Sequence, residues 1–115
     1  MAIQHAAPGD IIDVLPLGTD LGSTLSHALF KSDDLEVIRI VLLAGKEMPP
    51  HAVAGEITLQ CLEGRIVFTC ASGVRELTAG QLIHSRANEI HALRCIEDAS
   101  LLLTIALRRV PGAPA

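Results

Sequence analysis

The feature that most constrains this chain is its punctuation. No apolar run exceeds about nine residues before Gly, Pro or Asp interrupts it. The runs are Ile11 to Leu15, Thr24 to Phe30, Leu35 to Leu43, Ile57 to Leu62, Arg65 to Cys70, Val74 to Leu77, Gln81 to Ser85, His91 to Ile96 and Leu101 to Leu107. Turn residues separate them, among them Met48-Pro49-Pro50, Glu63-Gly64, Ala79-Gly80 and Glu97-Asp98-Ala99. Short strands at this spacing predict an all-β sandwich or barrel. Helix competes only at Leu101 to Arg109, where Leu-Leu-Leu-Thr-Ile reads equally well as a buried strand.

With 115 residues and no linker, the expectation is one domain over 1–115, its core at about 24–108 and a fraying tail at 110–115. Half the residues are hydrophobic but only 2% are aromatic, so the core must be aliphatic. The same figure excludes whole classes of partner. Stacking on single-stranded nucleic acid needs aromatic faces and a basic groove, and this chain carries a net charge of −4. The densest apolar stretches, Val41 to Gly45 and Leu101 to Leu107, are far short of the ~20 residues of a spanning helix. No membrane partner is expected.

The first Lys or Arg is Lys31, so no signal or transit peptide is expected and the cytoplasm is the expected compartment. Cys61, Cys70 and Cys95 are odd in number and widely spaced, which reads as buried thiols rather than disulfides or a zinc knuckle. In Leu35 to Leu43, alternation fails after Glu36 and both strand faces become apolar. A strand of an antiparallel barrel keeps one face wet unless something covers it. A second copy is the expected cover, hence a homodimer.

Five histidines, His5, His27, His51, His84 and His91, are the candidates for chemistry. There is no Gly-x-Ser-x-Gly elbow, phosphate-cradling glycine loop or dinucleotide fingerprint, and Gly18-Thr19-Asp20-Leu21-Gly22 reads as a turn. His51 leaves the rigid Pro49-Pro50 segment, with five residues between it and Gly45. A strand then leads to Gly64. Gly80 opens another strand, and Arg86-Ala87-Asn88 turns the chain into His91.

These two segments resemble the paired motifs of the cupins, small jelly-roll β-barrels. In the first motif Gly45, His51 and Gly64 match, while Val53 and Ile57 stand where the family has its second His and its Glu. In the second, Gly80 and His91 match. Arg86, Asn88 and Cys95 replace Pro, Gly and Asn. Asn88 is the best non-glycine residue for a left-handed turn. The resemblance runs from Leu35 to Leu107 and implies a cupin jelly roll.

The family's metal set is three His and one Glu, and carried over by position it leaves His51 and His91 here. The resemblance thus implies a small-molecule-binding barrel with a degenerate metal site, in which His51, His91 and Gln60 contact an organic ligand. Gln60 shares a strand face with Thr58 and Leu62 rather than with Ile57, Leu59 and Cys61. A rival expectation is a metal-dependent dioxygenase or isomerase holding Fe, Mn, Ni or Zn through His51, His91 and Glu56, with His84 a less favoured ligand. It requires a bulge at Gly55 to turn Glu56 inward. The third is a ligand-sensing or structural dimer module. Arg39, the other polar break in an apolar strand, is expected to face outward and meet an acid across the dimer interface.

Overall fold

A computed structural model describes residues 5–107, and the tail at 110–115 lies outside them. Among the described residues there are seven strands and one short 3-10 helix. The strands are β1 (His27–Lys31), β2 (Leu35–Leu42), β3 (Glu47–His51), β4 (Ile57–Cys70), β5 (Gly73–Thr78), β6 (Leu82–Ser85) and β7 (His91–Ala106). All belong to one sheet, in the order β1-β2-β7-β4-β5, with β3 also on β7 and β6 also on β4. The pairings are all antiparallel. The all-β expectation holds.

Two long strands organise the sheet. β4 and β7 run alongside each other from Ile57↔Ile105 to Thr69↔Ala92. The outer edge of β7 pairs with β3 near its start and with β2 near its end. β4 pairs likewise with β6 near its start and β5 near its end. Each long strand therefore serves two layers, and the change of layer falls at one bend.

That bend corrects the sequence reading. Glu63-Gly64 and Glu97-Asp98-Ala99 look like turns, yet they lie within continuous strands and face each other, Glu63 opposite Ser100 and Arg65 opposite Glu97. The ladder shifts register there without ending. Gly64 makes the crossing possible: its φ is +83°, and a Cβ would sit 2.2 Å from the Asp98 carbonyl oxygen. Met48-Pro49-Pro50 is also strand rather than turn. Among the described residues β3 pairs with β7 alone, and the register slips between Met48 and His51, where prolines without N–H do least harm.

Even-numbered β2 residues Ile38, Ile40 and Leu42 face the barrel core with Leu59, Cys61, Ile66, Phe68, Leu93, Cys95 and Leu101. The core is aliphatic apart from Phe68 and the thiols Cys61 and Cys95. Val37, Arg39 and Val41 point the other way. Here the N-terminal segment departs from expectation. Ile11 to Leu15 is not a strand, and the glycine-rich turn is a 3-10 helix, Gly18–Ser23, that buries Leu21. Arg39, 5% exposed, donates from Nη2 to the Leu15 carbonyl at 2.7 Å. Part of the cover over the outer face of β2 is thus the chain's own N-terminal segment. Among the described residues no helix is long and apolar enough to cross a membrane.

Candidate functional site

His51 ends β3 and His91 begins β7, and the ladder sets them directly opposite each other. Their ring centroids are 4.4 Å apart at an interplanar angle of 67°. His91 is 7% exposed and stacks on Phe68, with centroids 5.5 Å apart and planes 16° apart. His51 remains exposed at the barrel mouth.

Each ring is oriented the same way. His51 Nδ1 lies 3.0 Å from the Pro49 carbonyl and His91 Nδ1 lies 3.1 Å from the Glu89 carbonyl. A carbonyl oxygen only accepts, so Nδ1 carries the proton in both. Nε2, across each ring, has no partner among the described residues and accepts whenever its ring is neutral. Burial lowers the pKa of His91, with the neighbouring His51 adding to the effect, while the Glu89 carbonyl and charge work against it. His91 is accordingly held toward the neutral, accepting form.

The two imidazoles line a cavity with Met48, Ile57, Leu59 and Phe68. It measures about 30 Å³, room for one water-sized group. An organic ligand does not fit inside; only one of its polar groups could enter.

The other predicted residues lie elsewhere. Alternation holds through Gly55: Ile57 is buried and lines the cavity, while the Glu56 carboxylate accepts from His84 Nε2 at 2.8 Å on the surface. A Cβ on Gly55 would meet the Ala106 carbonyl oxygen at 1.5 Å, and the Ala106 N–H donates to the Glu56 carbonyl, so this segment is pinned to the end of β7. Glu56 and His84 meet each other rather than His51 and His91. Gln60 sits between Leu82 and Leu102 on the face opposite Leu59 and Cys61, away from the cavity. Cys95 is a core thiol whose Sγ donates to the Glu97 and Leu42 carbonyls, and burial raises its pKa.

The donor set does not fit the divalent ion implied by the resemblance. Such ions are held by three or four protein ligands. Among the described residues no group of three His, Cys, Asp or Glu side chains converges. Val53 and Ile57 occupy the missing positions, and Ile57 turns an aliphatic wall toward the imidazoles.

Arg39 also differs from its sequence reading, because the acid it faces belongs to its own chain. Glu63 Oε2 accepts from the Leu17 N–H at 2.7 Å and from the Ser100 hydroxyl, and Oε1 accepts from the Gly18 N–H at 3.0 Å. Desolvation alone would raise the Glu63 pKa. The Ser100, Leu17 and Gly18 hydrogen bonds and the Arg39 charge outweigh it and set it below its ordinary value.

Sequence reasoning missed this cluster because Glu63, next to Gly64, looked like a turn residue. It also missed Ser85, 3% exposed and opposite Ile57, whose hydroxyl has no hydrogen-bond partner among the described residues. Nothing in the sequence singles out the orientation of these two rings, since His27, outside the pair, has the same Nδ1 contact at 2.8 Å to the carbonyl two residues before it, that of Leu25.

Strand order, the two bent strands and an imidazole pair at the mouth define an antiparallel double-stranded β-helix barrel. Solved structures of this class superpose along nearly the whole chain. A conserved protein of unknown function from Streptococcus pyogenes matches at TM-score 0.73 with 22% identity, covering 96% of this chain and 97% of that one. A cupin superfamily protein from Desulfitobacterium hafniense matches at TM-score 0.74 with 19% identity, covering 90% and 100%. An RmlC-like cupin with a double-stranded β-helix fold from Methanocaldococcus jannaschii matches at TM-score 0.69 with 19% identity, covering 85% and 93%. No family model and no curated protein matches the sequence. The chain is a small cupin-type domain in fold.

Proposed function

We propose that this chain is a small-molecule-binding cupin barrel and that its ligand docks at the histidine end, with one polar group reaching between His51 and His91. The observation that carries this reading is the matched orientation of the two rings. Both Nδ1 protons are held by backbone carbonyls, leaving two Nε2 acceptors beside an apolar cavity. An accepting Nε2 selects a ligand group that donates, a hydroxyl or an N–H, and the cavity limits that group to about the size of a water. The buried Ser85 hydroxyl is a further open polar group near Ile57.

Nitrogen-detected NMR with a panel of small alcohols, amides and carboxylates tests the reading. Alcohols and amides are expected to shift the His51 and His91 ring resonances, and the shifts should vanish in His51→Ala and His91→Ala. Shifts that survive both substitutions would remove the proposal. So would near-stoichiometric metal in the purified protein that is lost in both variants, a result favouring the metal-dependent enzyme.

We further propose that two copies pair and that the chain works in the cytoplasm. Leu25 and Leu82 remain 81% and 61% exposed, which supports pairing, and three unpaired cysteines fit a reducing compartment. Sedimentation equilibrium giving only monomer at micromolar concentration would refute the dimer.

A further inference from the structure

The ligand-sized space on this molecule lies outside the barrel. A hollow of about 680 Å³ opens between the turn after β4 and the segment joining β6 to β7, walled by Ser72, His84, Arg86, Asn88 and Glu89. Arg86 also borders a second hollow of about 430 Å³, on the side of Gly55 and Glu56. Neither contains His51 or His91 in its wall. The hollows are thus distinct in lining from the histidine pair, although Glu89 meets both, its side chain at the first hollow and its carbonyl at His91 Nδ1.

Their hydrogen-bonding groups fall into two sets. The acids are engaged. Glu89 Oε1 accepts from the Ala71 N–H at 3.1 Å and Oε2 from the Arg86 N–H at 3.3 Å, which ties the turn to the connecting segment. Glu56 accepts from His84. The Arg86 guanidinium and the Asn88 carboxamide have no side-chain partner among the described residues. The backbone that presents them is nevertheless fixed, because Asn88 takes a φ of 62° and donates its N–H to the Val53 carbonyl at 2.8 Å. A planar five-donor cation with no protein acceptor, beside a ligand-sized space whose carboxylates are already engaged, matches the recognition geometry of an oxyanion.

We propose that this hollow binds a small organic anion through a carboxylate or phosphate group, with Arg86 as the principal contact and Asn88 as a neutral donor. Glu89 and Glu56 keep their charges nearby, so the site suits a ligand with one anionic end and a polar, uncharged remainder better than a polyanion.

Amide NMR titrations of the full chain with succinate monomethyl ester and with inorganic phosphate, at matched ionic strength in chloride, test the assignment. Saturable shifts are expected at residues 70–73 and 84–89 with at least one probe, and the responding probe identifies the oxyanion. Arg86→Gln should weaken that binding by about tenfold or more, and Arg86→Lys should fall between it and the parent. Arg94→Gln, which removes an exposed charge of the same sign outside both hollows, should leave it unchanged. Equal weakening in Arg86→Gln and Arg94→Gln would reduce the effect to net charge and overturn the proposal. No saturable shift with either probe would overturn it too. Preserved amide dispersion in each variant excludes misfolding as the cause.

Discussion

The outer-face cluster of Arg39, Glu63 and Ser100 and the mouth pair His51 and His91 are both polar groups set into an aliphatic protein, and they end in opposite states. Both Glu63 oxygens are engaged, by two backbone N–H groups and a hydroxyl. Each histidine has one nitrogen engaged and the other open. The first arrangement fastens the N-terminal segment to the sheet. In the second, orientation has been fixed while one nitrogen of each ring is left open, as the proposed binding role requires. The distinction does not follow from burial alone, since Arg39 and His91 are 5% and 7% exposed.

The largest expected effect comes from breaking the engaged cluster. Glu63→Ala leaves the Leu17 and Gly18 N–H groups and the Ser100 hydroxyl without their acceptor and Arg39 without its counter-charge. A loss of roughly 2–4 kcal/mol in urea unfolding is expected, with fragment binding at His51 and His91 unchanged. A cost below about 0.5 kcal/mol would mean that the N-terminal segment is not fastened by this carboxylate.

How much of this was legible in the sequence depends on the distance over which each feature is determined. Left-handed turns are local, and Gly45, Gly80 and Asn88 all take the positive φ that their residue types predicted. Alternation is nearly as local: it put Gln60 on the face of Thr58 and set Glu56 opposite Ile57, as found. The bends at Glu63-Gly64 and Glu97-Asp98-Ala99 are not local. Each reads as a turn on its own, and only the strand facing it, more than thirty residues away, turns the pair into one corner. The same blindness hid the Glu63 cluster, whose donors come from the N-terminal segment and from β7. His51 and His91 were legible by motif, but the state of their rings depended on two backbone carbonyls.

A medium-sized effect would sharpen the comparison from the other side. His91→Phe retains a ring to stack on Phe68 and removes a buried, half-open imidazole. If His91 is retained for binding, stability should change by no more than about 1 kcal/mol in either direction, while alcohol- and amide-induced shifts at His51 disappear. A loss well above about 2 kcal/mol with binding intact would make His91 a structural residue like Glu63, and the contrast between the two sites would fail.

The smallest effect is the pH dependence, which separates the two sites by window. The pKa of His91 is lowered in the fold from an ordinary 6.5, so the unfolded chain takes up this proton first as pH falls. Its contribution to stability is complete above 6.5 and declines as pH drops from there through the folded value. Glu63 is lowered from 4.5, so its contribution is complete above 4.5 and is lost as pH falls through its own folded value. Both sites therefore destabilise the fold on acidification, in successive ranges. Unfolding free energies measured from pH 8 downward should lose the upper decline in His91→Phe and the lower one in Glu63→Gln, each variant leaving the other range untouched. If Glu63→Gln instead altered the range near 6.5, the two clusters would be coupled through the sheet, and their division into a fastened site and an open one would not hold.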